Sequence, residues 1–264
     1  MSRTLALITG ASSGIGTAYA RQLAVDHDFV LVARRKDRLD DLADELRSAG
    51  ATVEVLPADL ATPEGLGTVA KRAAVGDIRL LICNAGAAGY TRLTEIDPDE
   101  IDRMLRLNAV APVQLVRAAL PGMLDADEGT VITIASLLAF SAGQKNPPVP
   151  RTLYTAAKSA TLAFMRTLSL EIAGTGVRTQ VVCPGLVATE FYGGYGNGNP
   201  TAMTAEDMVR SSLAGLRLGE SICSPALVDQ TAALDALLAA ETALMAGGSG
   251  PSPAARYQEK EPTA

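Results

Sequence analysis

The stretch "LITGASSGIG", residues 7–16, decides the fold. It joins an apolar run to a helix-forming one through Gly10, Gly14 and Gly16, in the spacing G-x-x-x-G-x-G. Glycines at such a turn let the backbone bend tightly and come close to a pyrophosphate, whose charge the following helix N-terminus stabilises. A glycine-rich turn by itself is a modest signal. Placed after a strand, before a helix and at the start of an α/β pattern, it reads as a dinucleotide-binding loop rather than an ordinary tight turn.

Outward from that loop the same alternation repeats. Apolar, β-branched runs at 4–9, 29–33, 52–57, 79–83, 130–135 and 178–183 are continuous rather than alternating, which suits strands buried on both faces. Helical patterns at 14–25, 36–49, 62–75, 98–125 and 152–174 separate them. This order predicts a parallel sheet with helices on both faces and right-handed connections. After residue 184 the pattern loosens into "GLVATEFYGGYGNGNPT", then predicts a helix at 204–217, a short strand near 220–223 and a helix at 226–245. We read residues 1–245 as a single domain and the Gly/Pro/Ser-rich residues 246–264 as a flexible tail.

Composition narrows the function classes. The chain has 264 residues, 48% hydrophobic and 20% charged, with a net charge of −6. A mildly acidic surface argues against nucleic acid or an anionic membrane as partner. No apolar run reaches the roughly 20 residues of a membrane span, and "MSRTLALITG" carries no signal-peptide pattern, so a cytoplasmic location is expected. Cys83, Cys183 and Cys223 are far apart and read as buried structural thiols. The one histidine, His27, falls between a helix and a strand and reads as a surface connector, which leaves no metal site and no Ser-His-Asp catalysis in view.

The second strand ends in Arg34 and Arg35, where an NAD site usually presents an acidic side chain for the adenosine 2′-hydroxyl. A guanidinium matches a phosphate bidentately and suits a hydroxyl less well, so the expected cofactor is NADP(H). Lys36 and Arg38 read as a solvated helix start. Within "MLRLNAVAPVQL", Asn108 is a poor helix former, and Pro112, four residues on, has no N–H for its carbonyl. A carbonyl freed in this way can hold a water. In "LYTAAKSA" a tyrosine, Tyr154, stands one helical turn before Lys158.

Taken together, "TGASSGIG", "CNAG" (83–86), Asn108, Ser136, Tyr154-x-x-x-Lys158 and "CPGLVAT" (183–189) resemble the short-chain dehydrogenase/reductase family in its short, single-domain form. The motifs occur in the family's order over about residues 4 to 190. The resemblance implies a Rossmann-type, doubly wound parallel sheet of about seven strands, a nicotinamide cofactor, alcohol–carbonyl interconversion and a homodimer or homotetramer. It implies a catalytic set of Asn108, Ser136, Tyr154 and Lys158. For the cofactor it implies Gly10, Ser12, Ser13, Gly14, Ile15 and Gly16 at the phosphates and Arg34, with Arg35, at the 2′-phosphate. Asp59 and Leu60 fall at the adenine, and Asn84, Ala85 and Gly86 beside the ribose. Pro184, Gly185, Val187 and Thr189 then fall along the nicotinamide, with Tyr154 and Lys158 also in contact.

The chemistry explains the set. Hydride addition to a carbonyl leaves an alkoxide that needs a proton, and a phenol can give it. Its reference pKa of about 10 is too high for it to act also as base near neutral pH, and an ammonium one turn away is expected to lower it. Ser136 would orient the substrate oxygen. In the family the asparagine binds a water that relays protons from lysine to solvent. One departure stands out: Ser136 and Tyr154 are 18 positions apart, several more than the family norm, with the excess in "SAGQKNPPVPRT" (141–152).

A cofactor-binding sensor without turnover is the alternative from another class, and a relic structural subunit a third. Both usually lose the tyrosine that this chain keeps. A sugar epimerase would have G-x-x-G-x-x-G spacing and a longer chain. Around the substrate we expect "GAAGY" (86–90), "SLLAFSAGQ" (136–144) and "TEFYGGYG" (189–196), with Ser136, Leu138, Gln144, Phe191 and Tyr192 as contacts. Glu190 is the only charge in these segments, which suits a neutral, lipophilic carbonyl compound.

Overall fold

The computed structural model describes residues 3–145 and 147–257. The six long apolar runs are strands β1 (Thr4–Thr9), β2 (His27–Ala33), β3 (Val53–Pro57), β4 (Ile78–Cys83), β5 (Gly129–Ile134) and β6 (Val177–Val182). Between them run α1 (Gly14–Leu23), α2 (Lys36–Ser48), α3 (Pro63–Ala73), α4 (Pro98–Leu105), α5 (Ala111–Asp125) and α6 (Thr152–Glu171). There follow β7 (Val187–Ala188), the short turn α7 (Phe191–Gly194), β8 (Met203–Thr204), α8 (Ala205–Arg217), β9 (Ile222–Cys223) and α9 (Gln230–Gly248).

The main sheet has seven strands in the order β3-β2-β1-β4-β5-β6-β9, and neighbouring strands are parallel. Its central strands carry apolar residues on both faces because each feeds two cores. Side chains alternate across a pleated strand. Thus Ala6, Ile8, Phe29, Leu31, Leu80, Ile82 and Ile132 enter one core, which Tyr19, Leu39, Leu46 and Met208 of α1, α2 and α8 complete. The intervening Leu7, Val30, Val32, Leu81 and Val131 enter the other, with Leu66, Leu115, Leu162 and Met165 of α3, α5 and α6. Each fully buried aliphatic or aromatic side chain contributes about 1.5–3 kcal/mol.

The strand order positions the site. From β1 the chain winds outward to β2 and β3, then returns to β4 on the other side of β1. Loops leaving β1 and β4 therefore diverge, and a crevice opens at their carboxyl ends, where open α/β sheets bind ligands.

Three local expectations change. His27 opens β2 instead of lying in a connector, and its half-burial lowers its pKa. The helical run Pro98–Asp125 spans 28 residues and contains an 18-residue window of mean hydropathy 1.2, so an apolar segment of membrane-spanning length is present after all. Here its Leu115, Val116, Ala119 and Met123 fill the second core. The run is also not one α-helix: Arg106–Val110 form a π turn.

By contacts the chain divides into two compact units, Met1–Ala226 and Leu227–Ala264. The first holds the sheet and both cores. The second holds α9, capped by the Asp229 carboxylate, which accepts from the Ala232 N–H at 3.0 Å. The sequence places α9 within a domain ending at 245, whereas by contacts it belongs to this second unit. Of the expected tail, 246–248 complete α9, Ala255–Tyr257 form a 3-10 turn, and 258–264 lie outside the described residues.

Candidate active site

The crevice is a cleft of about 650 Å3, inside the range of about 300–1,000 Å3 typical of small-molecule sites. Its floor is the glycine loop. Gly10 lies at φ +68°, a left-handed conformation that favours glycine, and a side chain there would come within 2.7 Å of the Asn84 amide nitrogen. Gly16 does not face the cleft. A Cβ at Gly16 would collide with the Gly10 carbonyl oxygen, so its absence lets α1 start directly behind the loop. Thr9, which the sequence did not single out, ties this floor together. Its hydroxyl donates to Ile82 O (3.3 Å) and accepts from the Asn84 and Ala85 N–H groups, both at 3.0 Å. The Asn84 side chain donates to Thr9 O (2.9 Å) and Gly10 O (3.2 Å), locking the β4 loop onto the β1 loop.

Ser12, Ser13, Gly14, Ile15, Arg34, Arg35, Asp59, Leu60, Asn84, Ala85, Gly86, Pro184, Gly185, Val187 and Thr189 all line this one cleft. The residues expected around a nicotinamide dinucleotide are therefore brought together from five loops. Ser13 caps α1 without a side-chain hydrogen bond to the helix, which leaves first-turn N–H groups open toward an anion. Arg35 lies across the loop. Its Nη2 donates to Ser13 Oγ at 2.8 Å and its Nε to Ser12 Oγ at 3.3 Å. Arg34 is exposed at the end of β2, and no hydrogen bond or ion pair engages its side chain among the described residues. Arg103 pairs with Asp59 at 3.4 Å.

The other end of the cleft carries Tyr154 and Lys158. Both are buried, at 5% and 4% exposure, and α6 presents them on one face. Lys158 Nζ donates to Ile134 O at 2.9 Å, at the end of β5. It lies 5.8 Å from the centre of the Tyr154 ring. The Tyr154 ring meets Tyr90 edge-on at 5.6 Å and Phe191 at 6.2 Å. Ser136 follows β5, and its hydroxyl accepts from Leu138 N–H at 3.1 Å, on the side of β5 that faces Tyr154 closely enough to act on its phenol.

The electrostatics differ from the sequence expectation. Lys158 is expected to hold the Tyr154 phenol below its ordinary pKa. Instead, burial pushes the phenol upward, helped by Tyr90, against the opposing influence of the nearby Ser136 hydroxyl. Burial also pushes the Lys158 ammonium down to about 8. The protein alone therefore keeps the Tyr154 phenol neutral. All three cysteines are buried and free, and burial pushes each thiol up to about 12, which suppresses nucleophilic chemistry.

Asn108 is 1% exposed and sits within the π turn. Pro112 has no N–H, so the ladder widens, and Ala111 N–H reaches back to Arg106 O. The freed carbonyl predicted at Asn108 is not left unpaired: Thr161 Oγ1 donates to it at 2.8 Å. The Asn108 amide donates to Ala87 O and Met104 O, both at 3.0 Å, fastening the β4 loop to the helix. Thr161 was missed. It stands three residues after Lys158, on the same helical face, which is the one sign of it in the sequence.

The substrate contacts separate into two groups. Tyr90, Phe191, Tyr192 and Tyr195 line the cleft beside Tyr154. Ser136, Leu138 and Gln144 do not. Leu138 packs with Met104, Leu153 and Tyr154 behind the wall, and Gln144 accepts from the buried Arg151 at 2.7 Å. The extended turn 141–152 thus folds onto itself through this pair instead of presenting Gln144 to the cleft.

Comparison with known proteins agrees with this geometry. A family profile described as short chain dehydrogenase matches residues 4–198. An uncharacterized oxidoreductase of Staphylococcus aureus strain N315 is 32% identical over 215 residues, covering 80% of this chain and 90% of its own. Among solved structures, a short-chain dehydrogenase from Sphingobium yanoikuyae in complex with NADPH superposes with a TM-score of 0.89 at 35% identity, covering 96% of this chain and 100% of that one. The bulky-bulky ketone specific alcohol dehydrogenase from Comamonas testosteroni superposes with a TM-score of 0.88 at 31% identity, covering 98% and 100%.

Proposed function

Because the chain belongs to the short chain dehydrogenase family, we propose that it is an NADP(H)-dependent oxidoreductase that interconverts an alcohol and a neutral, lipophilic carbonyl compound. The carrying observation is the buried Tyr154 phenol, one helical turn from Lys158 and set between Tyr90 and Phe191 beside the dinucleotide cleft. When bound, the nicotinamide cofactor supplies or accepts the hydride. Tyr154 Oη donates the proton to the carbonyl oxygen in reduction and takes it back in oxidation. Ser136 Oγ, at the end of β5 beside the phenol, orients the oxygen that receives the proton. Lys158, anchored on Ile134 O, supplies positive charge near the ring. Asn108 fastens the β4 loop to the kinked helix beneath it.

The preference for NADP(H) rests on the β2 end, where Arg34 is exposed and without a partner among the described residues and Arg35 spans the two loop serines. The NADPH in the Sphingobium structure supports it. Arg34→Asp is expected to shift the ratio of kcat/KM for NADPH over NADH by about 10- to 100-fold toward NADH, by removing a charge-assisted phosphate contact and adding repulsion. A wild-type enzyme that prefers NADH would sink the proposal before any variant is made.

The substrate class rests on the wall beside Tyr154. It is built from Tyr90, Phe191, Tyr192 and Tyr195. The cations that line the cleft are Arg34 and Arg35 at the glycine loop, Arg103 paired with Asp59, and the buried Lys158. None is left for an anionic group near the reacting carbon. The bulky-bulky ketone specificity named for the Comamonas enzyme points the same way. An aryl alkyl ketone is expected to be reduced with kcat/KM about tenfold or more above that of its carboxylated analogue. Faster reduction of the carboxylated member would overturn this part of the proposal.

A further inference from the structure

We propose that Glu190 is a specificity-determining residue: its carboxylate is a built-in counter-ion on Arg35 and Arg38 that a cofactor 2′-phosphate displaces, freeing the segment that covers Tyr154. This rests on the reading of the cofactor as NADP(H). The carboxylate lies between two guanidinium groups from the other side of the cleft. Arg35 Nη1 meets its Oε2 at 2.8 Å, while Arg38 Nη1 meets Oε1 at 2.7 Å and Oε2 at 2.8 Å. Arg35 is the same side chain that holds the Ser12 and Ser13 hydroxyls. The glutamate is therefore tied into the cluster read as the 2′-phosphate site, from a position 155 residues away in the chain.

Two properties make this contact exchangeable. The three side chains are 40% to 51% exposed, and exposed ion pairs are weak. A phosphate brings more charge and more acceptor oxygens to the same guanidinium groups than a carboxylate does. Both anions on one arginine pair would repel each other.

Glu190 is also the first residue of the strap over the active site. Phe191 follows it and meets the Tyr154 ring. Tyr192 follows next, in a left-handed conformation at φ +51° and ψ +52° that a residue with a side chain holds only when its surroundings require it. Its ring stands edge-on to Tyr90 at 4.6 Å, and Tyr90 in turn meets Tyr154. Held at Glu190 and at Tyr192, the strap stays over the phenol. Released at the Glu190 side chain, it keeps its ring contacts and local bonds such as Phe191 N–H to Thr189 Oγ1 at 3.2 Å and Gly194 N–H to Glu190 O at 3.1 Å, but loses its tie to the opposite side of the loop cluster. Because linkage is reciprocal, whatever loosens the strap by taking the arginines must itself bind more tightly once the glutamate is removed.

The probes are adenosine 2′,5′-bisphosphate and 5′-AMP, titrated calorimetrically into the full chain and its Glu190→Gln variant, with hydrogen–deuterium exchange read over 187–204. Neither probe contains nicotinamide, so the readout is independent of turnover. Glu190→Gln is expected to tighten the bisphosphate by about three- to tenfold and leave 5′-AMP unchanged. In the wild-type protein the bisphosphate, and not 5′-AMP, should speed exchange in 190–196; in the variant exchange should be fast from the start. If the bisphosphate binds more tightly than 5′-AMP but equally to both proteins, Glu190 is no competitor and this assignment falls while the cofactor reading stands. If the bisphosphate binds no better than 5′-AMP to either protein, the 2′-phosphate site is absent and both fall.

Discussion

Replacing Tyr154 with Phe is expected to lower kcat by about 10²–10⁴-fold, the range that a positioned proton donor contributes. The ring stays, so its contacts with Tyr90 and Phe191 and its place beside Met104 and Leu153 are kept. What goes is the hydroxyl and its interaction with the neighbouring Ser136. Burial already disfavours the charged form of this phenol, and loss of one neutral hydrogen bond changes stability by only about 1 kcal/mol. The melting temperature should therefore hold within a few degrees, and the affinity for NADP(H), measured by fluorescence titration, within about twofold. Turnover within tenfold of wild type would remove Tyr154 from the proton transfer. A folded protein that has lost cofactor affinity would instead give the phenol a binding role.

Lys158→Met is the second large effect, and it pulls function and stability in opposite directions. Turnover should fall by at least about 10²-fold, because the positive charge beside the phenol is gone. Stability at pH 7 should rise. The Lys158 ammonium has a pKa of about 8 in the folded protein and 10.5 when solvated. Between those values the unfolded chain holds the extra proton, so wild-type stability increases with pH across this window. Below about pH 8 the buried charge costs the folded state on the order of 3 kcal/mol, of which the bond to Ile134 O returns about 1–2 kcal/mol. A buried methionine avoids that cost. Urea denaturation of both proteins at pH 7, 8.5 and 10 should show a gain for the variant that shrinks steadily as pH rises. A variant that is less stable at pH 7, by an amount independent of pH, would mean that the lysine is held charged without penalty.

These two residues mark where local sequence stops being informative. Their spacing is helical, so placing them on one face required only the periodicity of α6. Their pKa directions came from burial, and burial came from elements distant in sequence: the end of β5, Tyr90 after β4 and Phe191 after β7. An argument from the pair alone predicts a depressed phenol. The surrounding apolar wall reverses it, because desolvation disfavours the charged form of each partner whereas their mutual attraction needs both of them charged.

The same boundary runs through the rest of the molecule. The strand and helix order was set by the sequence itself, since apolar runs and glycine turns act over a few residues and the central strands had to be apolar on both faces to feed two cores. So were the dinucleotide loop and the β2 arginines, which stand next to the elements that present them. Only the tertiary structure decided that Thr161, 53 residues on, takes the Asn108 carbonyl, that Gln144 turns to Arg151 and away from the cleft, and that Glu190 closes on Arg35 and Arg38. Each of these is a pairing between polar groups that the folded backbone, within the 141–152 turn or across distant segments, brings within 3 Å. Nothing in a local pattern distinguishes the partner chosen from any other side chain of like chemistry, so the choice belongs to the fold.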